Sequence, residues 1–128
     1  MIFEEKTVES KRIYDGKIIN VRVDTVEMPE GKTAERDIVE HPGGVGVVAV
    51  TDDRKVIMVK QFRKPIEKAI YEIPAGKMDK DGEDPEKCGR RELEEETGFK
   101  CENLKYLGYM YPSPGFTDEI THIYLADK

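Results

Sequence analysis

The residues best suited to chemistry crowd into one short stretch. Between Glu83 and Glu96 stand seven acids (Glu83, Asp84, Glu86, Glu92, Glu94, Glu95 and Glu96) and three bases, Lys87, Arg90 and Arg91. These 14 residues therefore carry −4 of the chain's formal charge of −6. At about 100° per residue on a helix, Glu92, Glu95 and Glu96 share a sector of about 100°. Like charges three and four residues apart repel by about a few tenths of a kcal/mol per pair, so helix stability alone does not select them. Hard divalent cations such as Mg²⁺ take oxygen ligands, and carboxylates one turn apart can converge on one. Arg91, four residues before Glu95, can hold that carboxylate by a charge-assisted hydrogen bond. The plain alternative is a solvated, charged helix face.

The elements that must position these groups are legible on either side. Asp84 suits an N-cap, Pro85 the first helical position and Gly98 a C-terminal stop, so the spacing predicts a helix between them. Ile18–Val26 alternates Ile19, Val21 and Val23 with Asn20, Arg22 and Asp24, which is strand period, and MPEGKT after it is turn chemistry. Arg36–Glu40 predicts a second strand ending at HPGG. Val45–Val50 is apolar at consecutive positions, as in a strand buried on both faces. Thr51–Lys55 reads as a hairpin turn with Val56–Gln61 returning as its partner. Ala69–Ile73 is a short strand stopped by Pro74, and Leu104–Tyr111 and Glu119–Ala126 flank the SPGFTDE loop. The pattern is a mixed sheet with one clear helix, an α/β or α+β class. One helix covers one sheet face, so the other face calls for a second helix outside this sequence or for a partner chain.

Composition narrows the rest. A chain of 128 residues is one domain of ordinary size, without internal repeats or linkers and with a soft boundary near residues 40–44. Ile and Val each occur 11 times and Leu only 4 times, a β-branched excess that argues against a helical bundle. No apolar run approaches the ~20 residues of a membrane span. The N-terminus, MIFEEKTVESKR, lacks the apolar core of a signal peptide. Cys88 and Cys101 make no disulfide framework and read as free thiols of a reducing cytoplasm. The net negative charge argues against nucleic acid as a partner, although a divalent cation can bridge acidic side chains to a nucleotide's phosphates. His41 and His122 lack companions at metal-ligand spacing, Cys88 lacks a base, and Tyr106, Tyr109 and Tyr111 suit sheet packing.

The segment GKMDKDGEDPEKCGRRELEEETGF, Gly76 to Phe99, resembles the Nudix box, G-x5-E-x7-R-E-U-x-E-E-x-G-U with U aliphatic or aromatic. Arg91, Glu92, Leu93, Glu95, Glu96, Gly98 and Phe99 stand in register. Six residues, not five, separate Gly76 from Glu83, which leaves the role of Glu83 open. Outside the box, RDIVEHPG, VKQFRKP, EIPAGK and YPSPGFTDE make nearly the whole chain similar to the ADP-ribose pyrophosphatases of that superfamily.

The resemblance implies an α/β/α sandwich with an N-terminal β arm over residues 1–40 and a Nudix hydrolase domain over 41–128. It implies hydrolysis of ADP-ribose, or of a close nucleoside diphosphate sugar, to AMP and ribose 5-phosphate, dependent on Mg²⁺ with Mn²⁺ as a substitute. Glu92 and Glu96 would be metal ligands together with the Ala75 carbonyl. Glu95 would be a further ligand or orient water, and Arg91 would complete the catalytic set. On the substrate side, Arg36 and Asp37 align with an Arg-Glu pair that grips the adenosine end. Arg63 aligns with a diphosphate contact, and Lys77 falls within the substrate-binding motif. Ser113, Pro114 and Gly115 match the turn that marks ADP-ribose specificity, and Glu119 a substrate contact. Relatives are homodimers that exchange N-terminal strands, so a homodimer is expected. They also continue past the point where this sequence stops, with a loop bearing a catalytic Glu and a final helix. Glu95 and Glu119 are the general-base candidates left, and slow turnover with retained binding is the expectation. The alternative is a metal- and nucleotide-binding module with little turnover.

Overall fold

The structure, a computed structural model, describes residues 2–78 and 83–127. Residues 79–82 of the KMDKDG loop, which carries the extra residue of the box, therefore lie outside the described residues. The chain forms two compact units, one from Met1–Pro42 and Tyr111–Glu119, the other from Gly43–Met110 and Ile120–Lys128.

The first unit is an antiparallel sheet of β1 (Thr7–Asp15), β2 (Asn20–Glu27) and β3 (Thr33–Glu40), in that order. The alternation of β2 has partners on both sides, β1 and β3, and it buries Val26 and Asp24. β1 gives no period-2 signal in sequence. Its pairing with β2 is interrupted between Thr7 and Glu9 and again between Arg12 and Tyr14, which puts Val8, Ile13 and Tyr14 out of alternation. All nine of its residues are exposed. Tyr111–Glu119 docks on β3 through its backbone. Val39 donates its N–H to the Phe116 carbonyl (2.7 Å), and the Val39 carbonyl accepts from the Thr117 hydroxyl (2.9 Å).

The second unit holds a mixed sheet in the order β7 (Ala75–Lys77), β4 (Gly44–Ala49), β9 (Thr121–Asp127), β8 (Asn103–Met110), with β4 and β9 parallel. β4 is an interior strand, and five of its six residues are buried. The predicted hairpin from Val50 into Val56–Gln61 does not form as a ladder. β7 and Pro74 occupy β4's edge from Gly44 to Val47, leaving one bridge, Val50 to Val56, and one bond from Ile57 N–H to the Ala49 carbonyl. The chain then departs as β5 (Val59–Arg63) and pairs instead with β6 (Lys68–Glu72).

The helix α1 (Pro85–Thr97) begins where the residues place it, with Asp84 extended at the N-cap but making no side-chain capping bond. It ends at Gly98, whose φ of 77° suits a residue without Cβ and whose N–H returns to the Glu94 carbonyl. Its apolar positions bury against one sheet face. Leu93 packs with Val47, Ala49 and Ala126, and Cys88 with Val45 and Tyr124. Each fully buried aliphatic side chain removed from water is worth about 1.5–3 kcal/mol, enough to hold an acid-rich helix whose exposed side repels itself. Ile73 and Ile123 lie on the opposite face, against Gly46. Among the described residues α1 is the one α-helix, so a helical layer on that second face is not among them. None is long and apolar enough to cross a membrane.

Candidate active site

Burying Leu93 and Cys88 turns the intervening positions of α1 toward β7 and solvent. Arg91 is the hub of the acidic face. Its Nη2 and Nε donate to the two carboxylate oxygens of Glu83 at 2.9 and 3.1 Å, and its Nη1 donates to Glu92 at 3.0 Å and to Glu95 at 3.5 Å. Glu83 thus holds Arg91 by the bidentate edge despite the longer loop before it. Hydrogen bonding to Glu83 raises the already high guanidinium pKa further.

Glu92 is the most enclosed of the three box carboxylates, its side chain 15% exposed. It lies against Gly76 so closely that a Cβ there would sit 2.1 Å from the Glu92 carboxyl carbon. Gly76 therefore makes a cradle that any side chain would fill. Glu96, one turn on, accepts the Ala75 N–H at 3.3 Å. Burial pushes the Glu96 carboxyl above the usual carboxylate range and the charge on Glu92 adds to that, while the Ala75 N–H and Arg63 pull it down. In an extended strand a residue's N–H and C=O leave on the same side, so the Ala75 carbonyl faces the side on which its N–H meets Glu96. Glu95 is 58% exposed, and its contact with Arg91 Nη1 is long, 3.5 Å.

Arg63 and Glu72 meet on one face of the β5–β6 hairpin. Nε and Nη2 of Arg63 each donate to Glu72 at 2.7 Å, and this pairing lowers the Glu72 carboxyl and raises Arg63. Lys77 ends β7, exposed, and its carbonyl lies 3.8 Å from the Cys88 sulfur. Burial raises the Cys88 thiol to about 11. Cys88 is fully buried, so it is a packing residue.

The remaining predicted site residues belong to the other unit. Arg36 forms a fork with Glu5, Nε to Oε1 at 2.8 Å and Nη2 to Oε2 at 3.0 Å. Asp37, next along β3, presents its side chain to the opposite face of the strand. Ser113, Pro114 and Gly115 form a turn in which the Ser113 carbonyl accepts from Phe116 and Thr117. Glu119 follows, its carboxylate 3.8 Å from His41 Nδ1, and the His41 N–H is taken by Asp118 at 2.9 Å. Two participants were missed in the sequence: Glu5 as the partner of Arg36, and Glu72 as the partner of Arg63. The first pair is 31 residues apart and has no local signal. The second, opposite charges flanking a hairpin, could have been found.

The donor set fits a hard divalent cation. Glu92 and Glu96 stand one turn apart, drawn against β7 by the absence of a Cβ at Gly76 and by the Ala75 N–H, with their oxygens like-charged and unbridged. Among the described residues no three Asp, Glu, His or Cys side chains gather closely enough to hold a metal by themselves. A backbone oxygen and water would complete the coordination shell, as Mg²⁺ ordinarily allows.

The NUDIX domain family matches residues 40–128, and the nucleoside diphosphate sugar hydrolase N-terminal domain family matches residues 5–39. The chain is 55% identical over 125 residues to an ADP-ribose pyrophosphatase of Bacillus subtilis and 53% identical to a methanol dehydrogenase activator of Bacillus methanolicus. Each match covers 98% of this chain and 67% of the relative. An ADP-ribose pyrophosphatase of Mycobacterium tuberculosis is 38% identical, with 94% of this chain and 58% of the relative covered. The solved structure of an ADP compounds hydrolase matches in fold, with a TM-score of 0.85 at 20% identity over 100% of this chain and 69% of that one. Box, fold and relatives converge: the chain belongs to the Nudix family.

Proposed function

We propose that this chain is a Nudix pyrophosphohydrolase acting on ADP-ribose or a close nucleoside diphosphate sugar, with AMP and ribose 5-phosphate as the products from ADP-ribose. The observation that carries this reading is the pair Glu92 and Glu96, held against a side-chain-free Gly76 with the Arg63 guanidinium nearby. That is a cation-shaped deficit of positive charge beside a group suited to a diphosphate. The names of the Bacillus subtilis and Mycobacterium tuberculosis relatives support ADP-ribose as the substrate.

Glu92, Glu96 and the Ala75 carbonyl would hold Mg²⁺, or Mn²⁺ in its place. The bound cation supplies screening of the diphosphate charge and a water of lowered pKa. The chain's own residues do the rest. Arg91, fixed by Glu83, holds Glu92 in place and steadies Glu95. Arg63 and Lys77 neutralise the diphosphate. Water forms a bond to one phosphorus as the bridging oxygen leaves, and Glu95, whose side chain is 58% exposed, would take the water's proton. Arg36 and Asp37 would serve the adenosine end, with Ser113, Pro114, Gly115 and Glu119 serving the ribose end.

Two further readings go with this one. The chain works as a homodimer, supported by β1, an edge strand exposed along all nine residues with Val8, Ile13 and Tyr14 among them. It works in the cytoplasm, supported by two cysteines present as free thiols. The deciding experiment is phosphate release from AMP by a coupled phosphatase after incubation with ADP-ribose and Mg²⁺. Release that requires Mg²⁺ and is lost in Glu96→Gln is expected, and wild-type protein that leaves ADP-ribose intact overturns the reading. Light scattering at micromolar concentration should give a dimer, and a monomer removes that part.

A further inference from the structure

We propose that Glu72 is a positioning residue that sets the guanidinium of Arg63 for a diphosphate. This rests on the reading of Arg63 as the group that meets the diphosphate. Arg63 is the last residue of β5, opposite Lys68, while Glu72 ends β6, opposite Val59. The two are thus at opposite ends of the hairpin ladder, and Arg63 must lie back along the sheet face to reach its partner. A solvated arginine at a strand end has no reason to adopt that course. It does so with both contacts at 2.7 Å, a fork in which Nε and Nη2 face the two carboxylate oxygens of Glu72. Glu72 is the more enclosed partner, its side chain 24% exposed against 44% for Arg63. The fork therefore has a fixed base and a more accessible head.

The edge chosen matters. A guanidinium carries five N–H groups, and the side edge of Nε and Nη2 uses two of them. Both hydrogens of Nη1 and the second on Nη2 remain, and these form the end-on edge that pairs with phosphate oxygens. Glu72 thus does two things. It removes the rotamer freedom that a long side chain would otherwise lose on binding, and it leaves the correct edge outward.

The test is a double-mutant cycle on the whole chain, with Glu72→Gln and Arg63→Ala singly and together, read as KM and kcat for ADP-ribose with Mg²⁺. Glu72→Gln should raise KM about tenfold with kcat within about twofold, the size expected for one charge-assisted hydrogen bond. In the Arg63→Ala background it should have no further effect. An equal loss in both backgrounds would show that Glu72 acts independently of Arg63 and would overturn the proposal. A second arm needs no turnover: the Nε–H and Nη resonances of Arg63 during titration with inorganic pyrophosphate. The Nε–H should stay slow to exchange in wild type while the Nη signals move, and be lost in Glu72→Gln. Exposure of the Nε–H on pyrophosphate binding would make Glu72 a competitor and sink the idea. Wild type that ignores ADP-ribose yet shows this Arg63 response would remove the substrate assignment and leave the positioning role standing.

Discussion

Two networks of acids and arginines among the described residues are built on opposite principles. In the N-terminal sheet, Arg22 bridges Asp24 and Glu40, Arg12 reaches Glu40 at 3.0 Å, and the Ser10 hydroxyl donates to Asp24 at 2.6 Å. Asp24 is buried, yet its carboxyl is held below the usual carboxylate range, first by Ser10 and then by Arg22. On α1, Arg91 serves Glu83, Glu92 and Glu95, and Glu96 has a backbone N–H where a cation would be expected. Its carboxyl is pushed above the usual range. The first network already contains its counter-charge. The second sets the single arginine Arg91 against Glu83, Glu92, Glu95 and the neighbouring Glu96, and that excess of negative charge is what the proposed cation would offset.

The largest effect that should separate the two is on turnover. Glu96→Gln should lower Mg²⁺-dependent ADP-ribose hydrolysis on the order of 10³-fold, the several kcal/mol of charge stabilisation that a misplaced cation forfeits, with the thermal midpoint not reduced. Asp24→Asn should do the reverse, lowering the midpoint while the rate per folded molecule is unchanged. Turnover assays and melting curves on both variants check the pair, and a similar phenotype for both would break the distinction. Next comes Gly76→Ala. With a Cβ placed 2.1 Å from the Glu92 carboxyl carbon, the carboxylate must move by an ångström or more, and such displacements cost on the order of 100-fold in rate. Near-normal kinetics for Gly76→Ala would mean that Glu92 is not needed where it stands.

A third effect is confined to acid. The folded carboxyl of Asp24 lies below its ordinary 3.8, so the stability it contributes is present above that pH. That stability is lost as the pH falls through the lowered folded value. Urea melts from pH 5 downward should therefore show a decline in wild type that is shallower in Asp24→Asn. The smallest effect concerns Cys88. With its thiol raised to about 11 and fully buried, it should resist iodoacetamide at pH 8 while half-buried Cys101 is alkylated, as peptide mass analysis will report. Labelling at Cys88 ahead of Cys101 would mean that α1 opens readily from the sheet.

Local chemistry was legible in the sequence, and long-range pairing was not. Pro85 and Gly98 bound α1 where the residue types required, because caps are decided within a turn of the chain. β4 announced its burial on both faces by consecutive apolar residues. The hairpin expected after Val50 failed because strand edges are allotted by tertiary competition, and β7 with Pro74 had taken the edge that Val56–Gln61 was expected to fill. β1 escaped notice because a bulge near Ile13 erases the alternation that reveals a strand. At the site, the box residues could be named in register, while the fork of Arg63 onto Glu72 needed the β5–β6 pairing to be read in place of the hairpin expected at Val56–Gln61.

By the proposed reading, the α1 face takes up a divalent cation that the N-terminal network does not need. Thermal melting with increasing Mg²⁺ in wild type, Glu96→Gln and Asp24→Asn tests it most directly, since a ligand bound only by the folded state raises the midpoint with concentration. Wild type and Asp24→Asn should gain stability in parallel as Mg²⁺ rises, each from its own starting point, while Glu96→Gln stays flat. An equal rise in Glu96→Gln would place the cation elsewhere and contradict the claim.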